Sequence, residues 1–348
     1  MAAACGDDES DTASAETEAP AQPTTPPAEA TDAPAPTTAP AGEYDRTGWP
    51  DSISFAIVPA EEADNVADYV TPRIIADELG LELKVEEAAD YAGVIEGMIA
   101  ERVDVGAFGP FAYVIATGAG ANIDLAGIWS GDTADTYGDY KSFLLVPTGS
   151  DIRTPADLKG HTVCFVDPGS ASGFLFPSQG LIEAGIDPNE GSADITPIFA
   201  GGHDASVLAI LDGTCDAGYA YDTMVTQQLI ESGDLAGVID ASGDPDKDDT
   251  VNADAAELEI VWKSTAIAAP PLAVGKWLPE TLQAAIKDVV LTKINVDWAA
   301  DNGYCPSTDL QECELSDGAF WGYLPEDDSY FDGIRELCDI TGAEQCKL

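Results

Sequence analysis

Basic residues are scarce in this chain of 348 residues, which has 14 lysines and arginines against 64 aspartates and glutamates and a formal net charge of −50 at pH 7. Nucleic acid needs basic side chains to neutralise its phosphates, so this balance argues against a nucleic-acid partner. It does not by itself indicate a cationic ligand. We interpret the charge as a solvated acidic surface. Concentrated salt screens the repulsion within such a surface, so the charge favours a salt-rich (halophilic) habitat.

Long apolar runs are also missing, and no stretch approaches the ~18 apolar residues of a membrane span. Residues 6–45 contain no Val, Ile, Leu or Phe and carry ten acids without a base. Such a segment buries too little apolar surface to offset the entropy lost on ordering. We therefore predict that residues 1–47 form a lipoprotein-like N-terminus followed by a disordered, extended acidic linker rich in Pro, Thr and Ala.

Small residues precede the first cysteine in the run Ala2-Ala3-Ala4-Cys5-Gly6. A cysteine placed this way before a polar tether resembles the end of a bacterial lipoprotein signal, in which the cysteine receives a lipid. The charged and apolar parts of a signal peptide do not precede it, so a trimmed start and a chance match are both alternatives. We predict lipidation at Cys5 and an extracytoplasmic protein, anchored to the outer face of the cell membrane or periplasmic.

Six further cysteines form an even set, which fits disulfides in an oxidising compartment. The four in the C-terminal part lack C-x-x-C spacing and a nearby histidine, so they do not resemble a zinc site, and we predict no metal and no cofactor. The sequence leaves the connectivity open. We predict the pairs Cys164–Cys215, Cys305–Cys313 and Cys338–Cys346.

From Ser52 onward, strand-like and helix-like segments alternate, which is typical of an α/β fold with parallel-type sheets covered by helices. Ligands of such sheets lie beyond the carboxyl ends of the strands. The predicted strands are Ile53–Val58, Leu81–Glu86, Val103–Ala107, Leu125–Trp129, Ser142–Val146, Thr162–Val166, Ile195–Phe199 and Ala217–Tyr221. The predicted helices are Ala67–Leu79, Tyr91–Ile99, Phe111–Ala116, Pro155–Leu158, Gly173–Ala184 and Ala205–Asp212.

The turn Asp167–Gly173, between a strand and a helix, is the most informative motif. The first N–H groups of the helix, its dipole and two serine hydroxyls all favour an anion there. No lysine or arginine lies in the turn, so an oxyanion would be held by dipoles and hydroxyls. The alternative is an ordinary N-cap, in which Ser170 or Ser172 only starts the helix. A second glycine turn places His203 at a helix start, either as a ligand or as a surface residue.

The series of these segments resembles the PhnD-type family, the substrate-binding proteins of phosphate, phosphite and phosphonate ABC transporters. The resemblance covers most of residues 50–300 and leaves out the acidic linker and the cysteine-rich tail. It rests on Asp90–Ile95, Val103–Val105, Phe108–Pro110, Tyr113, Tyr140–Ser142, Asp157–Gly160, Asp167–Gly173, Gly202–Ser206, Gly213 and Asp216–Ala217.

The resemblance implies a two-lobed type II periplasmic-binding fold with a central ligand cleft and a hinge of two crossovers. We expect the crossovers near Ser142–Pro147 and Ile260–Ser264. Lobe one would comprise residues 48–143 plus 264–348, and lobe two residues 144–263. Closure of the lobes on a ligand would signal to the permease subunits in the membrane.

Ligand contacts also follow from the resemblance. Tyr91 and Tyr140 would contact the ligand from lobe one, and lobe two would hold its oxygens with Ser170, the backbone at Ala171 and Ser172, and His203. The family often has Ser-Thr-Ser-Gly where this chain has Ser-Ala-Ser-Gly, so one hydroxyl donor is missing.

The acids that would bind a substrate ammonium are incomplete. Aminophosphonate binders of the family place two carboxylates there; Asp222 is a shifted match for one, and Ala268–Pro271 contains no acid where the other falls. This favours a compact ligand, namely phosphite, phosphate or methylphosphonate. Asp222 could accept a hydrogen bond from a protonated ligand oxygen and so discriminate against sulfate, the alternative being a solvated loop acid.

We therefore predict a monomeric substrate-binding lipoprotein of an ABC importer. An enzyme is disfavoured, because the sequence has no Ser-His-Asp order, GxSxG elbow, paired metal ligands or Walker loop. A sensory oxyanion-binding protein that docks on a receptor kinase would have the same fold and cleft and is the alternative.

Overall fold

The structure is a computed structural model that describes residues 44–59, 69–189 and 191–347. Cys5, the predicted linker up to residue 43 and the start of the predicted helix Ala67–Leu79 lie outside the described residues. The last residues before the folded part contact it. The Tyr44 hydroxyl donates to Asp288 at 2.8 Å, and the Arg46 guanidinium donates to the Gly80 carbonyl at 2.8 Å.

Strands and helices alternate along most of the described chain. The strands are β1 (Ser52–Ile57), β2 (Glu82–Val85), β3 (Val105–Ala107), β4 (Ile123–Trp129), β5 (Ser142–Pro147), β6 (Thr162–Phe165), β7 (Thr196–Phe199), β8 (Ala217–Tyr221), β9 (Val238–Asp240), β10 (Leu258–Lys263), β11 (Pro271–Gly275) and β12 (Tyr323–Leu324). The α-helices are α1 (Val70–Leu79), α2 (Tyr91–Ile99), α3 (Pro110–Gly118), α4 (Phe176–Glu183), α5 (His203–Leu211), α6 (Leu229–Ser232), α7 (Glu280–Thr292), α8 (Val296–Asp301) and α9 (Asp332–Thr341).

Two six-stranded sheets form the fold, in the orders β12-β4-β11-β3-β1-β2 and β7-β6-β8-β5-β10-β9. We call the halves built on them lobe one and lobe two. Both sheets are mixed, which corrects the expectation of parallel-type sheets. Strands β1, β2 and β3 pair in parallel, as do β6, β7 and β8, but β11 and β5 each run antiparallel to both of their neighbours. Strand β5 is central and buried on both faces, as its apolar run indicates.

Local sequence explains where the site-bearing elements begin. Helix α2 starts at Tyr91 because the Asp90 carboxylate accepts the Gly93 N–H at 2.8 Å. The predicted helix Gly173–Ala184 begins two residues early, as a π-helical turn over Ala171–Leu175 that leads into α4. The predicted helix Pro155–Leu158 is a single 3₁₀ turn.

Two chain crossings join the lobes side by side. The Ile267 N–H donates to the Tyr140 carbonyl at 2.8 Å, and the Ser264 N–H donates to the Ser142 carbonyl at 2.9 Å. The Ser142 N–H in turn donates to the Ser264 hydroxyl at 2.9 Å. These paired segments form the hinge. The lobe limits, residues 48–143 plus 264–348 and residues 144–263, stay a prediction.

Three disulfides confirm the predicted pairing: Cys164–Cys215, Cys305–Cys313 and Cys338–Cys346. The first joins β6 to Cys215, two residues before β8, which pairs with β6 in parallel. Within the part of the chain that the structure describes, no helix is long and apolar enough to cross a membrane.

Candidate ligand-binding site

A cavity of about 570 Å³ lies between the two lobes, within the range of about 300–1,000 Å³ that is usual for small-molecule sites. Side chains and backbone from both sheets line it. All seven residues expected to bind the ligand lie in this one cavity: Tyr91, Tyr140, Ser170, Ala171, Ser172, His203 and Asp222.

The glycine/serine turn lies at the inner wall of the cavity. The Ser170 hydroxyl accepts the Gly173 N–H at 2.9 Å, so Ser170 is a helix N-cap, and the same oxygen lies 3.4 Å from His203 Nε2. Gly173 is required by close packing, since a Cβ there would lie 2.3 Å from the Val166 Cβ. The two readings of Ser170 are therefore compatible. It caps the helix and faces the cavity.

His203 is the most constrained polar group of the site. It is the first residue of α5 and is only 2 % exposed. Its Nδ1 accepts the Tyr221 backbone N–H at 3.3 Å, so a neutral ring carries its proton on Nε2. Burial lowers the pKa of His203 to about 3. His203 is thus a buried, neutral imidazole whose Nε2 lies near Ser170 Oγ and Tyr91 Oη in the cavity wall, which corrects the alternative of a surface histidine.

Two tyrosines add hydroxyl donors from the lobe-one side. Tyr91 Oη lies 3.5 Å from His203 Nε2, so the lobes touch at this point. A Cβ at Gly169 would lie 3.2 Å from the Tyr91 Cβ, which shows how closely the turn of lobe two approaches α2. Tyr140 lies on the first crossing. Burial, followed by the nearby Tyr91, raises the Tyr140 pKa well above its usual value, so its hydroxyl stays protonated.

Asp222 places a carboxylate in the cavity at the end of β8. Its two oxygens accept the backbone N–H groups of Lys141 at 3.1 Å and Thr223 at 2.9 Å. Burial, only partly offset by these hydrogen bonds, raises its pKa to about 6. Near neutral pH, a carboxylate with a pKa of about 6 can accept a hydrogen bond from a protonated oxygen of the ligand.

Three parts of the cavity wall were not predicted from the sequence. Lys247 lines it from the acidic loop after β9, where its ammonium pairs with Asp249 at 2.8 Å. The segment Asp317–Phe320 lines it from the cysteine-rich tail, and Asp132 and Asp139 lie at the lobe-one rim. None of these residues belongs to a motif, so no local signal could have found them.

Metal ligation is not a feature of the described part of the chain, where no group of three or more His, Cys, Asp or Glu side chains could hold an ion. The site instead combines hydroxyls, a neutral imidazole and helix N-termini. Such a set can stabilise an anion by oriented dipoles, and Lys247 adds an ammonium that pairs with Asp249.

Three comparisons connect this geometry with known proteins. Residues 55–297 match the family model of the periplasmic substrate-binding protein of phosphonate ABC transporters. The chain is 39 % identical over 307 residues to the phosphate-import protein PhnD of Mycolicibacterium smegmatis, which covers 86 % of this chain and 89 % of that protein.

Two solved structures share the fold. PhnD1 of Prochlorococcus marinus in complex with methylphosphonate has a TM-score of 0.66 at 16 % identity, covering 84 % of this chain and 99 % of that one. A binding protein of the phosphonate transporter of Pseudomonas aeruginosa has a TM-score of 0.63 at 21 % identity, covering 84 % and 86 %.

Proposed function

We propose a small phosphorus oxyanion as the ligand of this chain, on the premise that the chain belongs to the family of periplasmic substrate-binding proteins of phosphonate ABC transporters. Membership makes the chain a type II binding protein and a component of an importer rather than an enzyme. The ligand, the residues that hold it and the way the protein is tethered are what we propose beyond that membership.

The observation that carries the proposal is the convergence of neutral donors. Tyr91 Oη and Ser170 Oγ lie 3.5 and 3.4 Å from the same nitrogen, His203 Nε2. Three donors from both lobes around one point fit the oxygens of a single tetrahedral anion. The backbone N–H groups at the start of the Ala171–Leu175 turn supply further partners. Closure of the lobes would bring all of them onto the ligand at once.

Asp222 supports phosphorus over sulfur. An ionised Asp222 can accept a further hydrogen bond beside those from the Lys141 and Thr223 N–H groups, and a protonated phosphate, phosphite or phosphonate oxygen supplies the donor. Sulfate carries no proton at neutral pH and would leave two buried acceptors facing each other, which costs roughly 1–3 kcal/mol or more.

Compact ligands, namely phosphite, phosphate and methylphosphonate, are favoured by the composition of Ala268–Pro271, which has no acid for a substrate ammonium. The relative from Mycolicibacterium smegmatis, a phosphate-import protein by name, supports the same choice. The carboxylates of Asp132, Asp139 and Asp317 also line the cavity, and they would favour a ligand with an ammonium group. An aminoalkylphosphonate is therefore the competitor that the test must include.

Attachment is part of the proposal. We propose that Cys5 carries a lipid and that the acidic linker holds a monomeric binding domain beside its permease on the outer face of the membrane. The small residues before Cys5 and the polar composition of residues 6–45 support this arrangement. Mass spectrometry of the membrane fraction tests it, since an acylated N-terminal peptide is expected and an unmodified one contradicts it.

A thermal-shift panel tests the ligand. It compares phosphate, phosphite, methylphosphonate, aminoethylphosphonate and sulfate at millimolar concentration, in high salt so that the acidic surface is screened. A ligand that binds only the folded state raises the melting temperature by mass action. We expect the first three ligands to raise it and sulfate to leave it unchanged. No shift with any phosphorus oxyanion would overturn the proposal.

A further inference from the structure

The C-terminal tail supplies part of the ligand cavity. Asp317, Gly318, Ala319 and Phe320 line it, and all four lie beyond residue 297, where the match to the family model ends. We call Ser316–Phe320 the rim segment. The tail that the resemblance left out is therefore in contact with the space in which the ligand would lie.

Lobe one holds the rim segment firmly from behind. The Phe320 ring stacks on Trp129 with 4.2 Å between centroids. At Gly318, a Cβ would lie 2.7 Å from the Trp129 ring, so only glycine allows this approach. Just before the segment, the N–H groups of Val70 and Thr71 donate to the carbonyls of Glu314 and Leu315, each at 3.0 Å.

One side chain ties the rim segment to lobe two. Gln228 Nε2 donates to the Asp317 carbonyl at 3.0 Å, and Gln228 Oε1 accepts the Tyr221 hydroxyl. Tyr221 reaches the binding residues directly. Its ring lies 4.6 Å from that of His203, and its N–H is the donor that fixes the His203 tautomer. A continuous set of contacts therefore runs from His203 to the opposite wall of the cavity.

We propose that Gln228 is a latch that fastens the rim segment over the bound ligand. The Gln228–Asp317 hydrogen bond joins the two lobes, so it forms only when they are together and is lost when they separate. It stabilises the closed state and should act on release of the ligand more than on its entry. Gln228 touches no ligand atom in this account. It is a positioning residue, and its role in capture rests on the proposed function.

The first experiment measures phosphate binding by stopped-flow tryptophan fluorescence, with Gln228→Ala, Gln228→Glu and the matched control Gln227→Ala. Gln227 is the neighbouring glutamine and takes part in neither hydrogen bond. One neutral hydrogen bond corresponds to about threefold to tenfold in the dissociation rate. We expect this increase in both Gln228 variants, since glutamate cannot donate to the carbonyl, with little change in the association rate. Dissociation equal to that of Gln227→Ala would overturn the latch.

A second measurement needs no ligand. Amide hydrogen exchange of Ser316–Phe320 should be faster in Gln228→Ala than in Gln227→Ala, and equal exchange would overturn the proposal that Gln228 holds the segment. If the wild type binds none of phosphate, phosphite and methylphosphonate while exchange responds to Gln228, the proposed function fails and the hydrogen bond from Gln228 to the rim segment stands.

The disulfides offer a matched pair for the rim segment itself. Cys305–Cys313 and Cys338–Cys346 each span eight residues, but only the first leads directly into the segment. Similar loop lengths predict similar losses of stability. We expect the Cys305→Ser/Cys313→Ser variant to weaken phosphate binding several-fold more than Cys338→Ser/Cys346→Ser does. Equal effects on binding would contradict a role of the rim segment in the site.

Discussion

Replacement of His203 separates the donor role of its ring from its packing. His203→Ala removes the Nε2–H donor and also leaves the Tyr221 N–H without its Nδ1 acceptor. In His203→Gln the side-chain amide nitrogen can occupy the place of Nε2 and still donate. If Nε2–H is what the ligand needs, glutamine should preserve much of the binding that alanine loses.

The magnitude follows from burial and charge. A hydrogen bond from a buried donor to an anion contributes roughly 1.5–3 kcal/mol. His203→Ala should therefore weaken phosphate binding by about tenfold to hundredfold in Kd. His203→Gln should lose less than tenfold, because it forfeits mainly the contact with Tyr221.

The pH dependence gives an independent check. Burial lowers the pKa of His203 from its usual 6.5 to about 3, so the folded protein keeps the ring neutral while the unfolded chain takes up a proton below pH 6.5. His203 therefore makes its full contribution to the free energy of unfolding above pH 6.5 and loses it as the pH falls toward 3. His203→Gln should show a shallower loss of stability over this window.

Calorimetry of the two variants with phosphate, together with NMR titration of the imidazole signals, forms the assay. The chain has just two histidines, so the His203 signal is the one that disappears in His203→Gln. A His203 pKa near 6.5, or unchanged affinity in His203→Ala, would refute the reasoning.

Three further predictions concern neighbouring groups. Ser170→Ala should weaken phosphate binding about tenfold or more, measured by calorimetry. It should also lower the free energy of unfolding by about 1 kcal/mol, because the helix N-cap is lost. Unchanged affinity would contradict the assignment of Ser170 to the binding site. Asp222 has its pKa raised to about 6, so its own contribution to the free energy of unfolding should fall by at most about 3 kcal/mol as the pH rises from 3.8 to 6, opposite in sign to the contribution of His203. Denaturant unfolding should show that Asp222→Asn lacks this part of the pH dependence of the free energy of unfolding. The same pH dependence in the variant and the wild type would contradict a raised pKa of Asp222. The Cys164–Cys215 pair spans 51 residues, so its double serine variant should lose about 4 kcal/mol in the same assay, and a loss below 1 kcal/mol contradicts the loop-entropy argument.

Most of the fold was predictable because its signals are local. Helix α2 and strand β8 have the predicted limits, since a capping aspartate and an apolar run bounded by turns are read within a few residues. Strand β11 lies beyond the last predicted strand, and the direction of β5 was not predictable, because strand pairing depends on where distant segments meet. The start of the Ala171–Leu175 turn as a π-helix likewise departs from the regular helix that the apolar pattern predicts.

The candidate site likewise has one part that was predicted from the sequence and another part that was not. The two glycine turns are motifs at helix starts, whereas Tyr91, Tyr140 and Asp222 were expected from the family resemblance, and the structure brings all seven predicted residues to one cavity. Lys247 and Asp317–Phe320 line that cavity because segments far apart in the chain meet there. Their sequence surroundings, an acidic loop and a cysteine-rich tail, carry no pattern that indicates a ligand.

Calorimetric titration of the wild-type protein with phosphate and, separately, with aminoethylphosphonate, both in high salt, decides which class of phosphorus oxyanion the cavity binds. We expect tighter binding of phosphate, because Ala268–Pro271 contains no acid to pair with the ammonium of aminoethylphosphonate. A buried ammonium without its full set of partners costs several kcal/mol, which exceeds the gain of about 0.8 kcal/mol for each buried methylene of that ligand. Tighter binding of aminoethylphosphonate would contradict this expectation and would identify the carboxylates of Asp222 and Asp317 as an ammonium site.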